Sequence, residues 1–199
     1  MIAALIVVLT ACGPEFNTSA SVTPGASPAT TVASAPRISP PPVTPPTPPG
    51  TNLPDFACKD ASGGKTGVAN TTSARVEEQT DYDRFVLQMD SIVPTFTVTR
   101  QAKPVFQQSP SGQSVTLKGT AGVLVTVHSA TGATTFVGPT DIVNPQNQVL
   151  VEARQLQDYE GYVSWGLGLT QPACMRVLTL DSPARLVVDF QVLTSASSS

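Results

Sequence analysis

From residue 83 onward, hydrophobic positions recur every second residue rather than every third or fourth. Phe85, Leu87 and Met89 alternate with Arg84, Gln88 and Asp90, with Val86 the one apolar residue on the second face. Phe96 and Val98 alternate with Thr95, Thr97 and Thr99, and Val123, Val125 and Val127 with Leu124, Thr126 and His128. Val163, Trp165, Leu167 and Leu169 alternate with Ser164, Gly166 and Gly168. Leu186, Val188 and Phe190 alternate with Arg185, Asp189 and Gln191. A period of two places successive side chains on opposite faces, so each run predicts a half-buried strand. Val187 interrupts the polar face of the last run, which predicts a central strand covered on both sides. Ser109-Pro110-Ser111-Gly112, Thr131-Gly132 and Asn144-Pro145-Gln146-Asn147 supply turn chemistry between the runs. Residues 142–156 have room for a short helical turn, and no long amphipathic helix is present. The fold class predicted is all-β, a compact β-sandwich or a compact barrel.

The pattern covers only part of the chain. Residues 2–9 form an apolar run of eight, too short to cross a bilayer but suited to the apolar core of a secretory signal. It ends in Leu9-Thr10-Ala11-Cys12, which resembles the lipobox of bacterial lipoprotein signal peptides. That resemblance implies a diacylglyceryl thioether on Cys12 and cleavage that leaves Cys12 as the new N-terminus. No positive charge precedes the run, so the start codon is expected upstream of Met1 or the signal is unusually short. Residues 13–54 hold 12 Pro, 12 Ser/Thr and two charges, Glu15 and Arg37. Such a segment cannot bury enough apolar surface to offset the entropy of ordering, and its densest part favours polyproline II. It reads as a disordered tether of up to about 130 Å at the polyproline rise, with hydroxyls suited to O-glycosylation. Residues 55–193 are the only stretch able to form a core, and 194–199 read as a flexible tail.

Charge and composition narrow the chemistry. Lys+Arg 11 against Asp+Glu 14 gives a net charge of −3, with no clustered basic run for nucleic acid. One His excludes a His-rich metal site. No nucleophile elbow, P-loop or zinc spacing is present, so the chain is expected to be non-enzymatic, without catalytic residues, metal or cofactor. With Cys12 lipidated, Cys58 and Cys174 remain as an even pair in an oxidising compartment, and a disulfide between them is expected over two separate thiols.

Four features carry candidate chemistry. Asp81-Tyr82-Asp83 and Asp158-Tyr159-Glu160 place carboxylates beside tyrosines. Paired carboxylates could cleave a glycosidic bond or hold a cation, but each cluster precedes a strand, where Asp is a common turn residue. Trp165 shares the face of Val163 and Leu167, which argues core. Its neighbour Gly166 leaves the strand approachable, so Trp165 with Tyr159, Glu160 and Tyr162 also forms a candidate sugar platform. Arg84 and Arg185, matched in their runs with Asp90 and Asp189, are expected in cross-strand ion pairs, or as a fork for a carboxylate ligand. His128, on the polar face of its strand, is expected to be a surface residue without a role.

Asp83-Arg84-Phe85-Val86-Leu87-Gln88-Met89-Asp90 and Ala184-Arg185-Leu186-Val187-Val188-Asp189-Phe190 share one scheme: Arg, a run of strand formers, then Asp. Between them lies Tyr162-Val163-Ser164-Trp165-Gly166-Leu167-Gly168-Leu169. Together these resemble the AMIN-like domain of bacterial, mainly actinobacterial, envelope lipoproteins, related to the AMIN module of cell-wall amidases. The resemblance covers residues 66–193. It implies a β-sandwich in the cell envelope, since AMIN modules target proteins to peptidoglycan or envelope machinery, but it supplies no ligand. The leading expectation is a module that binds peptidoglycan or envelope glycan. The alternative is a protein-interaction module docking an envelope complex. Extracytoplasmic location and a membrane anchor through Cys12 complete the expectation.

Overall fold

The computed structural model describes residues 53–193. Cys12 and its lipobox, the Pro-rich segment up to residue 52 and the tail 194–199 lie outside the described residues. Within them the chain is all strand, thirteen in number and without a helix, arranged as a sandwich of two sheets with a small separate hairpin.

The first sheet contains β1 (Ala61–Gly63), β4 (Phe96–Gln101), β7 (Ala121–His128), β11 (Tyr162–Leu169), β10 (Leu150–Tyr159) and β9 (Asp141–Val143), in that order across the sheet. The second runs β12 (Met175–Asp181), β13 (Ala184–Gln191), β3 (Tyr82–Met89), β2 (Ala69–Glu78) and β8 (Ala130–Thr131). All pairings within the two sheets are antiparallel except β2 with β8. The hairpin joins β5 (Val105–Gln108) to β6 (Gln113–Thr116).

The period of two is realised as a shared core. Phe85, Leu87 and Met89 of β3 and Leu186, Val188 and Phe190 of β13 face Val123, Val125 and Val127 of β7 and Val163, Trp165 and Leu167 of β11 in one buried cluster. Asp83, on the same face as Phe85, is buried and ties the sheets together. Its Oδ2 accepts the amides of Val149 at 2.6 Å and Leu150 at 2.9 Å, at the start of β10.

Residues 142–156, where a helical turn had room, instead form the end of β9, a loop and most of β10. The register of β10 against β11 shifts between Leu150 and Glu152 and again between Gln155 and Gln157. Each bulge inserts a residue and inverts the alternation, so the strand has no period of two to read. β2 carries a similar shift between Thr71 and Ser73, and its polar sequence hides it equally well.

β13 lies inside its sheet, and Val187 is buried on its outward side. Among the described residues no further sheet covers that face, and Phe56 packs only at its Arg176–Tyr82 end. The cover comes from neighbours in the same sheet, since Val187 sits beside Val86 of β3 and Leu178 of β12.

Candidate functional site

The β10–β11 connection is the tight turn Tyr159-Glu160-Gly161-Tyr162. Glu160 and Gly161 both have positive φ, 52° and 77°, the conformation of a type I′ hairpin, whose twist matches that of the strands it joins. This geometry projects the flanking tyrosines outward: Tyr159 is 50% exposed and Tyr162 42%. Tyr162 meets the imidazole of His128 edge-on at 5.1 Å between ring centroids. His128 is therefore part of this aromatic group, a contact that period-two reading of a single strand cannot supply.

Register continues the surface inward from the tip. Tyr159, Tyr162 and His128 lie on the outer face of the first sheet, followed by Gln157, Ser164, Thr126 and Thr97 across four strands. The Ser164 hydroxyl lies 3.3 Å from that of Thr126. Gln157 also lines a hollow of about 210 Å³ with Gln108, Ser109, Thr140, Gln155, Leu156 and the carboxylate-bearing Asp158. The result is a shelf of hydroxyls and amides with no charged side chain in its inner row, bordered by two exposed tyrosines. Glu160 stands at the turn itself, exposed.

The β5–β6 hairpin closes the other half of this face. Phe106, Leu117 and Leu156 form a second buried cluster over it, with Val115 and Leu124 packed against them. This cover requires glycine beneath it. A Cβ at Gly166 would sit 2.9 Å from the Phe106 ring, and one at Gly122 2.8 Å from it. At Gly168 a Cβ would collide with the Lys118 carbonyl oxygen. The glycines of Trp-Gly-Leu-Gly-Leu thus admit the chain's own hairpin rather than a ligand.

Trp165 faces the opposite way and is fully buried. Its ring packs at 5.6 Å from Phe85 and 5.8 Å from Phe136. As a sugar platform it is therefore corrected to a core residue, and only Tyr159, Glu160 and Tyr162 of that group reach solvent.

The acidic clusters divide in the same way. Asp83 is the buried acceptor described above. Asp158 accepts the Thr131 hydroxyl and the Gly132 amide, each at 2.9 Å, pinning the segment after β8 to the end of β10.

Arg84 and Arg185 lie on the outer face of the second sheet, apart from the shelf. Antiparallel register sets Arg84 opposite Asp189, not Asp90. The guanidinium binds the buried Asp189 carboxylate through two bonds, 2.6 Å to Oδ1 and 3.0 Å to Oδ2. That hydrogen bonding, outweighing partial burial, holds Arg84 above its ordinary pKa. Arg176 of β12 completes the cluster at 2.7 Å from Asp189 Oδ2, with its guanidinium 4.5 Å from the ring centres of both Phe56 and Tyr82. No local motif marks Arg176; only the pairing of β12 with β13 brings it here.

The ion pair expected for Arg185 is corrected. It stands opposite Gln88 and Leu180, and its Nε donates to the Pro183 carbonyl oxygen at 3.3 Å. Asp90 falls beyond the paired residues and accepts the Asn70 amide at 3.0 Å and the Asn70 side chain at 2.7 Å. Cys58 and Cys174 are joined as a disulfide across 116 residues of sequence, beside the backbone bridge between Ala57 and Met175.

Searches of curated proteins and of solved structures each returned no match. A family model does match, over residues 69–192, from the first residue of β2 to one residue past β13. That span holds both sheets except β1 and includes the glycine-bearing strand and the Arg84–Asp189 pair. The chain belongs to the AMIN-like domain family.

Proposed function

We propose that this chain is a non-catalytic cell-envelope module that binds peptidoglycan or another envelope glycan, held at the membrane by lipid on Cys12. Family membership supports a cell-wall setting. The single observation that carries the glycan reading is the row of Gln157, Thr126 and Thr97, joined through the buried Ser164, beside the exposed rings of Tyr159 and Tyr162. Hydroxyls and amides exchange hydrogen bonds with sugar hydroxyls, and exposed rings cover the apolar face of a pyranose.

The test is sedimentation of the protein with purified sacculi. Wild type is expected in the pellet and the Tyr159→Ala/Tyr162→Ala double variant in the supernatant, with an unchanged melt. Equal pelleting of both proteins rejects the shelf. Zymography on the same wall material is expected to show no clearing. The anchor has its own test, because two acyl chains at ~0.8 kcal/mol per buried CH₂ hold a protein on a bilayer and none does not. Cys12→Ser is expected to move the protein from the membrane pellet to the soluble fraction.

A further inference from the structure

We propose that the outer face of the second sheet docks an acidic, extended segment of a partner protein. Four of the seven arginines in the chain, Arg75, Arg84, Arg176 and Arg185, stand on this face. The paired rungs place two carboxylates among them, Glu77 and Asp189, and Asp90 follows at the next outward position past the end of β3, held by Asn70. The three rungs therefore carry an excess of two positive charges on a chain whose total is −3.

The arginines occupy three successive rungs across the strands. Arg84 and Arg176 share the first with Asp189 and Glu77. Arg75 shares the second with Val86, Val187 and Leu178, and Arg185 shares the third with Gln88 and Leu180. Rungs on one face are two residues apart, roughly 6.8 Å along the strand. That is also the spacing of carboxylates at every second residue of an extended peptide, so one such chain laid along the strands meets a guanidinium on each rung.

The face already holds a carboxylate in this manner, with Asp189 clamped by Arg84 and Arg176. Among the described residues Arg185 has no carboxylate partner, and Arg75 holds only the partly exposed Glu77, a contact that a ligand carboxylate can exchange at little cost. Val86 and Val187 are buried beneath this face, and the apolar strip left to a ligand is the half-buried Leu178 and Leu180 at 38% exposure on β12, which favours a peptide with aliphatic side chains over a purely polar polyanion. Charge complementarity and this strip together select an acidic, aliphatic protein segment.

The experiment measures fluorescence anisotropy of a labelled, end-blocked peptide of three Glu-Leu repeats with the full chain, beside a Gln-Leu peptide of equal length. The expected result is binding of the Glu-Leu peptide alone, weakened tenfold or more in Arg75→Gln/Arg185→Gln and strongly reduced by salt. Neither substitution touches the Asp189 clamp, and the melt is expected to stay unchanged. Lys103→Gln/Lys118→Gln, with the same loss of charge, is expected to bind as wild type. Absence of binding, or equal weakening in both double variants, overturns the proposal. So does attachment to phosphatidylglycerol vesicles through Arg75 and Arg185 by a chain that ignores the peptide, which would make the face a membrane contact. Failure here leaves the sacculus result intact, because the two faces carry different residues.

Discussion

The two outer faces of the sandwich solve the same problem in opposite ways. Each sheet has one side in the common core and must manage the other. The first sheet places glycine at positions 122, 166 and 168 and lets the β5–β6 hairpin lie on them, with Phe106 as the wedge. What stays open is the uncharged shelf and its tyrosines. Among the described residues no hairpin covers the second sheet, where Val86 and Val187 are buried beside Arg75 and Leu178 and the guanidinium groups of Arg84 and Arg176 share the one carboxylate of Asp189. A face covered by backbone and ring is fixed in shape, whereas a face covered by arginine stays charged and adaptable. The two proposals rest on this difference, a neutral ligand for one side and an anionic partner for the other.

The most direct way to break the second face is Asp189→Ala. It leaves Arg84 and the nearly buried Arg176 without their common counter-charge, and stability should fall by about 3–5 kcal/mol in a denaturant melt. A loss under 1 kcal/mol would show that the arginines find other partners and that the clamp does not organise this face.

On the first face the matching test is Gly168→Ala. Its Cβ meets a backbone carbonyl rather than the end of a side chain, so the Lys118 segment must shift. The expected cost is about 1–3 kcal/mol, with faster amide exchange in β5 and β6. Unchanged exchange there would mean that the hairpin does not depend on the glycine face.

Tyr162→Ala sharpens the comparison by separating binding from stability. The ring is 42% exposed, so the melt should agree with wild type within ~0.5 kcal/mol while sacculus binding falls. A smaller effect is expected in acid. Asp90, at the end of β3, is held below the ordinary carboxylate value by the Asn70 amide first and the Asn70 side chain second. Its contribution to stability is therefore present above the unfolded carboxylate value of ~3.9 and is lost as pH falls through the lower folded value. Asp90→Asn should remove that slope from the melting temperature below pH 4, with a small loss at neutral pH and little change at the acid end. An identical acid slope in the variant would show that the Asn70 contact is not linked to folding.

The sequence by itself determined the class of fold and the inward residues of five strands, because strict alternation survives wherever a strand lacks bulges. β3, β4, β7, β11 and β13 are of that kind, and Trp165 follows the alternation into the core. Tyr159, Glu160 and Tyr162 were legible together because a four-residue turn keeps near neighbours in sequence near in space. β2 and β10 were not legible, since one inserted residue exchanges the faces of everything after it. Only the tertiary structure decided which Arg meets which Asp. β3 and β13 carry the same Arg-to-Asp scheme, yet antiparallel pairing joins Arg84 to Asp189 and offsets the other two, leaving Arg185 opposite Gln88 and Asp90 with Asn70. Arg176 and His128 entered their clusters by the same route. Register between strands depends on bulges, turns and the fit of the whole core, and none of these can be read from the residues of one strand.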